Sequence, residues 1–145
     1  EIFLQFKDKF REQNTVITCM ATVVRDLEDE AAISMLIVGT ESREVHIVEA
    51  TPAFKIIKTI ELPDVPVCIA TKGPYTVDHR IVVGCRDATL YTIKKEVVTG
   101  RIIELESAIV GLEVIESNIV VATMEHCVHS FNFKGIKFSF EAVNN

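Results

Sequence analysis

The chain has 145 residues, of which 48% are hydrophobic and 25% charged, and its formal net charge is −6. This is globular composition, outside the range of disordered segments. The acidic balance, with Lys and Arg scattered rather than clustered, excludes the basic stripe of a nucleic-acid-binding domain. No apolar run reaches the roughly 18–20 residues that cross a bilayer, so direct membrane insertion is excluded too.

The first residue is Glu, and Glu1–Phe6 has neither a basic n-region nor a small-residue cleavage site, so it does not read as a signal peptide. The expectation is a piece of a longer chain. Residues 1–13 place Phe3, Phe6 and Phe10 at i, i+3 and i+7, with Ile2 beside them and polar residues elsewhere. That spacing predicts a short amphipathic helix with one aromatic face. So short a helix is marginal alone in water, so Phe3, Phe6 and Phe10 are expected to dock on the chain's own domain or on a protein partner.

From Val16 the period changes to two, and β-branched residues dominate. Val16–Val24 reads as a buried strand. The acidic stretch Asp26-Leu27-Glu28-Asp29-Glu30 lacks the Gly and the spacing of a calcium-binding loop, so it is expected to be a solvated connection. Further strands are predicted at Ile33–Gly39, Glu44–Glu49 and Phe54–Leu62, followed by the punctuation Pro63-Asp64-Val65-Pro66. A second group comprises Val67–Thr71, Arg80–Gly84, Thr89–Lys94 and Arg101–Leu105. The third is Ile109–Ile115, Asn118–Thr123, Cys127–Phe133 and Ile136–Glu141.

These groups repeat. Leu36–Glu49, Ile81–Lys94 and Ile119–Asn132 align over fourteen positions without a gap, their starts 45 and 38 residues apart. Gly39, Gly84 and Ala122 share a column that stays small, as strand positions do where another backbone comes close. Val48, Ile93 and Phe131 share a large apolar column expected in the core. His46, Tyr91 and His129 form a neighbouring column, expected to face the other way.

Four-stranded antiparallel units repeating about every 40 residues are the signature of β-propeller blades. A β-sandwich has no reason to repeat its strand order in register. The expected fold is all-β: a short N-terminal helix (residues 1–13), then a partial propeller (14–145) with blades at 14–63, 64–107 and 108–143. Closed propellers have about four to eight blades, so three such blades of a seven-bladed ring would leave apolar faces needing neighbours.

Chemistry is sparse. His126-Cys127-x-His129 is the one tight group of metal-ligand types, and two same-face ligands fall short of the four in a structural zinc site. There is no Gly-rich phosphate loop, and no residue combination argues for a catalytic triad. No catalytic, cofactor-binding or metal residue is assigned. The four cysteines (Cys19, Cys68, Cys85, Cys127) lie in strand-like runs with no Cys-x-x-Cys pair and are expected to be free thiols.

Several segments together resemble a known family. They are Val16-Ile17-Thr18-Cys19-Met20-Ala21-Thr22, Gly39-Thr40-Glu41-Ser42-Arg43-Glu44 and Leu62-Pro63-Asp64-Val65-Pro66-Val67. Arg80–Tyr91 with its Cys85-Arg86, Val110-Gly111-Leu112 and Phe133-Lys134-Gly135-Ile136-Lys137 continue the series to Lys137. In order and spacing they resemble the β-propeller of the Bardet–Biedl syndrome protein 1 family, a subunit of the coat-like BBSome complex of cilia. The resemblance implies a helix inserted between blades ahead of the Val-Ile-Thr strand. It implies a non-enzymatic scaffold in ciliary membrane-protein trafficking, in the cytoplasm and at the ciliary basal body and membrane periphery. The implied partners are other BBSome subunits, membrane-protein cargo and a GTP-bound Arf-like small GTPase held by blades outside this chain. The alternatives are a piece of a propeller enzyme with His or carboxylates on its innermost strands, or another WD40-like adaptor.

Overall fold

The computed structural model describes residues 15–25, 34–49, 53–134 and 137–142. The predicted helix, with Phe3, Phe6 and Phe10, and the acidic stretch 26–30 lie outside the described residues. Within them the chain forms twelve strands: β1 (Ile17–Val24), β2 (Ser34–Thr40), β3 (Glu44–Glu49), β4 (Lys55–Glu61), β5 (Pro66–Lys72), β6 (Arg80–Cys85), β7 (Thr89–Lys94), β8 (Val97–Glu104), β9 (Ile109–Ile115), β10 (Asn118–Thr123), β11 (Cys127–Asn132) and β12 (Lys137–Ala142). They pair in three antiparallel meanders, β1-β2-β3-β4, β5-β6-β7-β8 and β9-β10-β11-β12. Each sheet is a propeller blade.

The innermost strands lie side by side, tied by side chains. The Thr18 hydroxyl donates to the Pro66 carbonyl at 2.6 Å, and Thr71 donates to the Thr22 carbonyl at 2.7 Å. Each inner strand carries a bulge near its start, between Ile17 and Cys19, between Pro66 and Cys68, and between Ile109 and Gly111. An extra residue at the same place in all three blades re-aims the strand identically each time. No sequence signal marks it.

The strand alternation sends one face of each blade forward and the other back. Ile37, Val45 and Ile47 of the first blade meet Ile81, Val83, Tyr91 and Ile93 of the second. Val82 and Leu90 of the second meet Ile109, Ile119, Val121 and Phe131 of the third. Val38, Val48 and Phe54 cluster on the first blade's other face, with Leu36 and Ile56. The column Val48, Ile93 and Phe131 is indeed core, at most 1% exposed. The column His46, Tyr91 and His129 does not face the opposite way as expected. It lies two residues earlier on the same strands and shares the face: Tyr91 joins the cluster of Ile93, and the His129 ring stacks on Phe131, centroids 5.9 Å apart.

The small column also has its explanation. A Cβ on Gly39 would stand 2.7 Å from Cys19 Sγ and 2.8 Å from Pro66 Cγ, and one on Gly84 would stand 3.0 Å from Ile109 Cδ1. Pro66 and Ile109 each open the inner strand of the following blade, so the glycines let that strand seat.

The predicted strand Arg101–Leu105 begins earlier, at Val97. Lys95 and Glu96 both have positive φ, 51° and 63°, the backbone of a tight two-residue hairpin turn. Such turns usually advertise themselves with Asn-Gly, and Lys-Glu does not.

Candidate interaction surface

At one end of the blades the β2–β3, β6–β7 and β10–β11 turns share one conformation. Arg43, Ala88 and His126, at the same repeat position, have φ of 63°, 65° and 62°. Arg43 N–H donates to the Thr40 carbonyl and Ala88 N–H to the Cys85 carbonyl, closing the turns. Glu41, Arg86 and Met124 N–H each donate to the residue just before the inner strand, at the Val16, Val65 and Ala108 carbonyls. The turns that carry the family-like residues are thus stitched to the blade roots.

Between the first two turns runs an ion pair that the sequence reading missed. Arg86 Nη1 and Nη2 donate to Glu41 Oε1 and Oε2 at 2.7 and 2.8 Å. The bidentate Arg86 holds the Glu41 carboxyl below the usual carboxylate range, and Glu41 raises Arg86 in turn. Both are solvent-exposed, so the pair orients the turns more than it stabilises the fold. A signal was available: Glu41 and Arg86 occupy the same repeat column in consecutive blades, which places opposite charges next to each other in space. Asp64 adds to this corner by accepting from Asp87 N–H at 2.7 Å.

The tight His/Cys group resolves into separate roles. His126 is an exposed turn residue, the Cys127 thiol donates to the Glu125 carbonyl at 3.5 Å, and His129 stacks on Phe131. Among the described residues no three His, Cys, Asp or Glu side chains are grouped to hold a metal ion. His46 is buried, its Nδ1 2.9 Å from the Thr59 hydroxyl; burial pushes its pKa down, and Glu44 partly opposes this. The four cysteines are free. Burial raises the Cys19 and Cys68 thiols and, with Asp87 and Asp64 nearby, pushes Cys85 up to about 12, so these thiols are poor nucleophiles and ligands.

The innermost strands present Met20, Thr22, Val24, Val110, Glu113 and Ile115 as exposed side chains. One carboxylate among apolar groups offers neither an acid–base pair nor a ligand set. Among the described residues no helix is long and apolar enough to cross a membrane.

Comparison with known proteins turns this geometry into a family. The sequence model described as Ciliary BBSome complex subunit 1 matches residues 1–94. The chain belongs to that family. The BBSome complex member BBS1 of Mus musculus is 35% identical over 134 residues, and that of Homo sapiens 34%. In both cases 92% of this chain is covered but 22% of the relative, so the chain spans about a fifth of the relatives' length. The crystal structure of BBS1N in complex with ARL6DN superposes with a TM-score of 0.82 at 35% identity, covering 89% of this chain and 39% of that one. Saccharomyces cerevisiae Sqt1 matches at a TM-score of 0.73 and 12% identity over 92% of this chain and 38% of its own, a likeness of fold alone.

Proposed function

We propose that this chain forms blades of a non-enzymatic scaffold propeller in the BBSome coat, acting in the trafficking of ciliary membrane proteins. The observation that carries the reading is the 0.82 superposition, at 35% identity, on BBS1N in complex with ARL6DN. The protein is recruited by a GTP-bound Arf-like small GTPase through blades other than these three, and it works with the other BBSome subunits on membrane-protein cargo. It acts in the cytoplasm and at the basal body and ciliary membrane as a peripheral protein. Phe3, Phe6 and Phe10 remain protein-contact candidates by their spacing. The site chemistry suits this reading: shielded thiols, stacked or buried imidazoles, and turns fastened by backbone hydrogen bonds make a rigid surface.

The test is co-purification of the full-length protein with the other coat subunits and with the GTPase loaded with a non-hydrolysable GTP analogue or with GDP. Recovery of the coat subunits, and of the GTPase only in its GTP form, is the expected result. A clean monomer that captures neither at micromolar concentration would sink the proposal.

A further inference from the structure

The sequence shows Lys and Arg scattered; the fold gathers four of them. At the blade end opposite the Glu41–Arg86 turns, Lys72 closes β5, Arg80 opens β6, Lys94 closes β7, and Lys134 follows β11. They converge on the seam between the second and third blades, around the half-buried ring of Phe133. The Arg80 guanidinium lies 4.6 Å from the ring centroid and the Lys72 ammonium 6.0 Å. Lys72 also donates to the Ser117 hydroxyl at 3.2 Å, from one blade to the next. Arg80, Lys94, Lys134 and Phe133 line a cleft of about 550 Å³, and an adjoining hollow of about 220 Å³ adds Lys72.

Little in the cleft neutralises these cations. Asp78, 3.9 Å from Lys94 Nζ, is the single carboxylate among the described residues lining the two hollows. Among the described residues Lys72, Arg80 and Lys134 have no carboxylate within 4.0 Å. The same seam opens at its other end into a hollow of about 350 Å³ whose described lining residues include Glu104, Glu106 and Glu125 and, among the described residues, no Lys or Arg. The two mouths of one seam therefore carry opposite charge, on a chain whose net charge is −6.

We propose that the cleft around Phe133 docks an acidic peptide segment of a partner protein. Its place over the Phe133 ring restricts the Arg80 guanidinium, whose planar fork suits a carboxylate. The paired hydroxyls of Thr92 and Thr99, 2.7 Å apart, also line the cleft and add oxygen acceptors for a peptide backbone. Ile93 and Phe133 offer apolar contact to its side chains. A flat anionic bilayer would reach only the rim of this concave site, and a nucleic-acid backbone, charged at every residue along its length, would run past the cleft onto the acidic surface, whereas a short acidic peptide can end within it. The cleft's chemistry stands apart from GTPase recruitment, so a failed peptide titration leaves the coat reading intact.

The probe is a fluorescein-labelled decapeptide rich in Asp and Glu with one Leu, titrated with the full-length protein by anisotropy at low and moderate salt. Wild type is expected to bind, and more weakly as salt rises. Lys72→Glu with Lys134→Glu is expected to weaken binding at least about tenfold. Lys55→Glu with Lys58→Glu, an equal change of net charge on exposed positions of β4, is expected to leave affinity within about twofold because the charges are distant and screened. Arg80→Lys keeps the charge but loses the planar fork and is expected to weaken binding about threefold, a readout that survives if the double variant fails to fold. No binding, equal losses in the two double variants, or binding only to phosphatidylserine vesicles would overturn the proposal.

Discussion

Replacing Gly39 by Ala adds one methyl group where two blades meet. Its Cβ would lie 2.7 Å from Cys19 Sγ, 2.8 Å from Pro66 Cγ and 3.1 Å from Pro66 Cβ. Carbon contacts settle near 3.5–4.0 Å, so the second blade must withdraw by about 0.7 Å or more. Cys19 can change rotamer, but the Pro66 ring cannot, and it opens the inner strand of the next blade. Overpacking of this kind costs about 1–3 kcal/mol, and the lower entropy of an unfolded Ala returns about 0.4–1 kcal/mol. The expected net loss is about 1.5 kcal/mol, or about 3–6 °C in the melting temperature of a domain this size. Urea and thermal unfolding of the wild type and G39A measure it. Gly111→Ala is the control, since its new Cβ would meet only the Ala122 Cβ, at 3.7 Å. If G39A is as stable as G111A, close blade approach is not what keeps this column small.

Arg43 is exposed at φ 63°, so Arg43→Gly relieves a left-handed residue and is expected to stabilise the fold by about 0.5–1 kcal/mol in urea melts. A loss would mean that the Arg side chain holds the turn. Phe131 is 1% exposed between the second and third blades, and Phe131→Ala is expected to remove about 3–5 kcal/mol, read as a lower denaturant midpoint. His46 has a pKa below its unfolded value, so the unfolded chain takes up the proton first as pH falls. The stability it contributes is present above about pH 6.5 and is lost as pH drops toward the folded pKa. The fall in melting temperature between pH 7.5 and 5 is therefore expected to be shallower in His46→Gln, and parallel profiles would refute the assignment. Cys85, pushed up to about 12 and buried, is expected to be the last cysteine alkylated by iodoacetamide in the native protein, as peptide mass mapping would show.

The repeat was legible because burial imposes it. Val48, Ile93 and Phe131 each fill a blade face, and Gly39 and Gly84 each admit a neighbour, so the same demand recurs at the same column. What the sequence concealed lies where backbone geometry goes against residue preference. Lys95-Glu96 turns without Asn or Gly, Arg43, Ala88 and His126 adopt left-handed φ, and the inner-strand bulges fall at Thr18, Val67 and Val110, β-branched residues like those of the strands around them. The histidine column shares the core face, against expectation, because a two-residue offset along a strand returns to the same side. The basic cleft was invisible for another reason. Lys72 and Lys134 belong to different blades, and only the stacking of sheets brings such distant residues together.

The contact of Gly39 with Pro66, and of Gly84 with Ile109, also gives the stack a direction. Each blade offers a socket on one side and a plug on the other, and the two differ in kind. In the third blade the socket position is Ala122, whose methyl already occupies the space that the two glycines leave open. A sheet stacking there must lead with a residue smaller than Ile109 or stand farther out by about the width of a methyl group. Any sheet that stacks on the third blade therefore meets a position already filled, and shape narrows which neighbour can seat there.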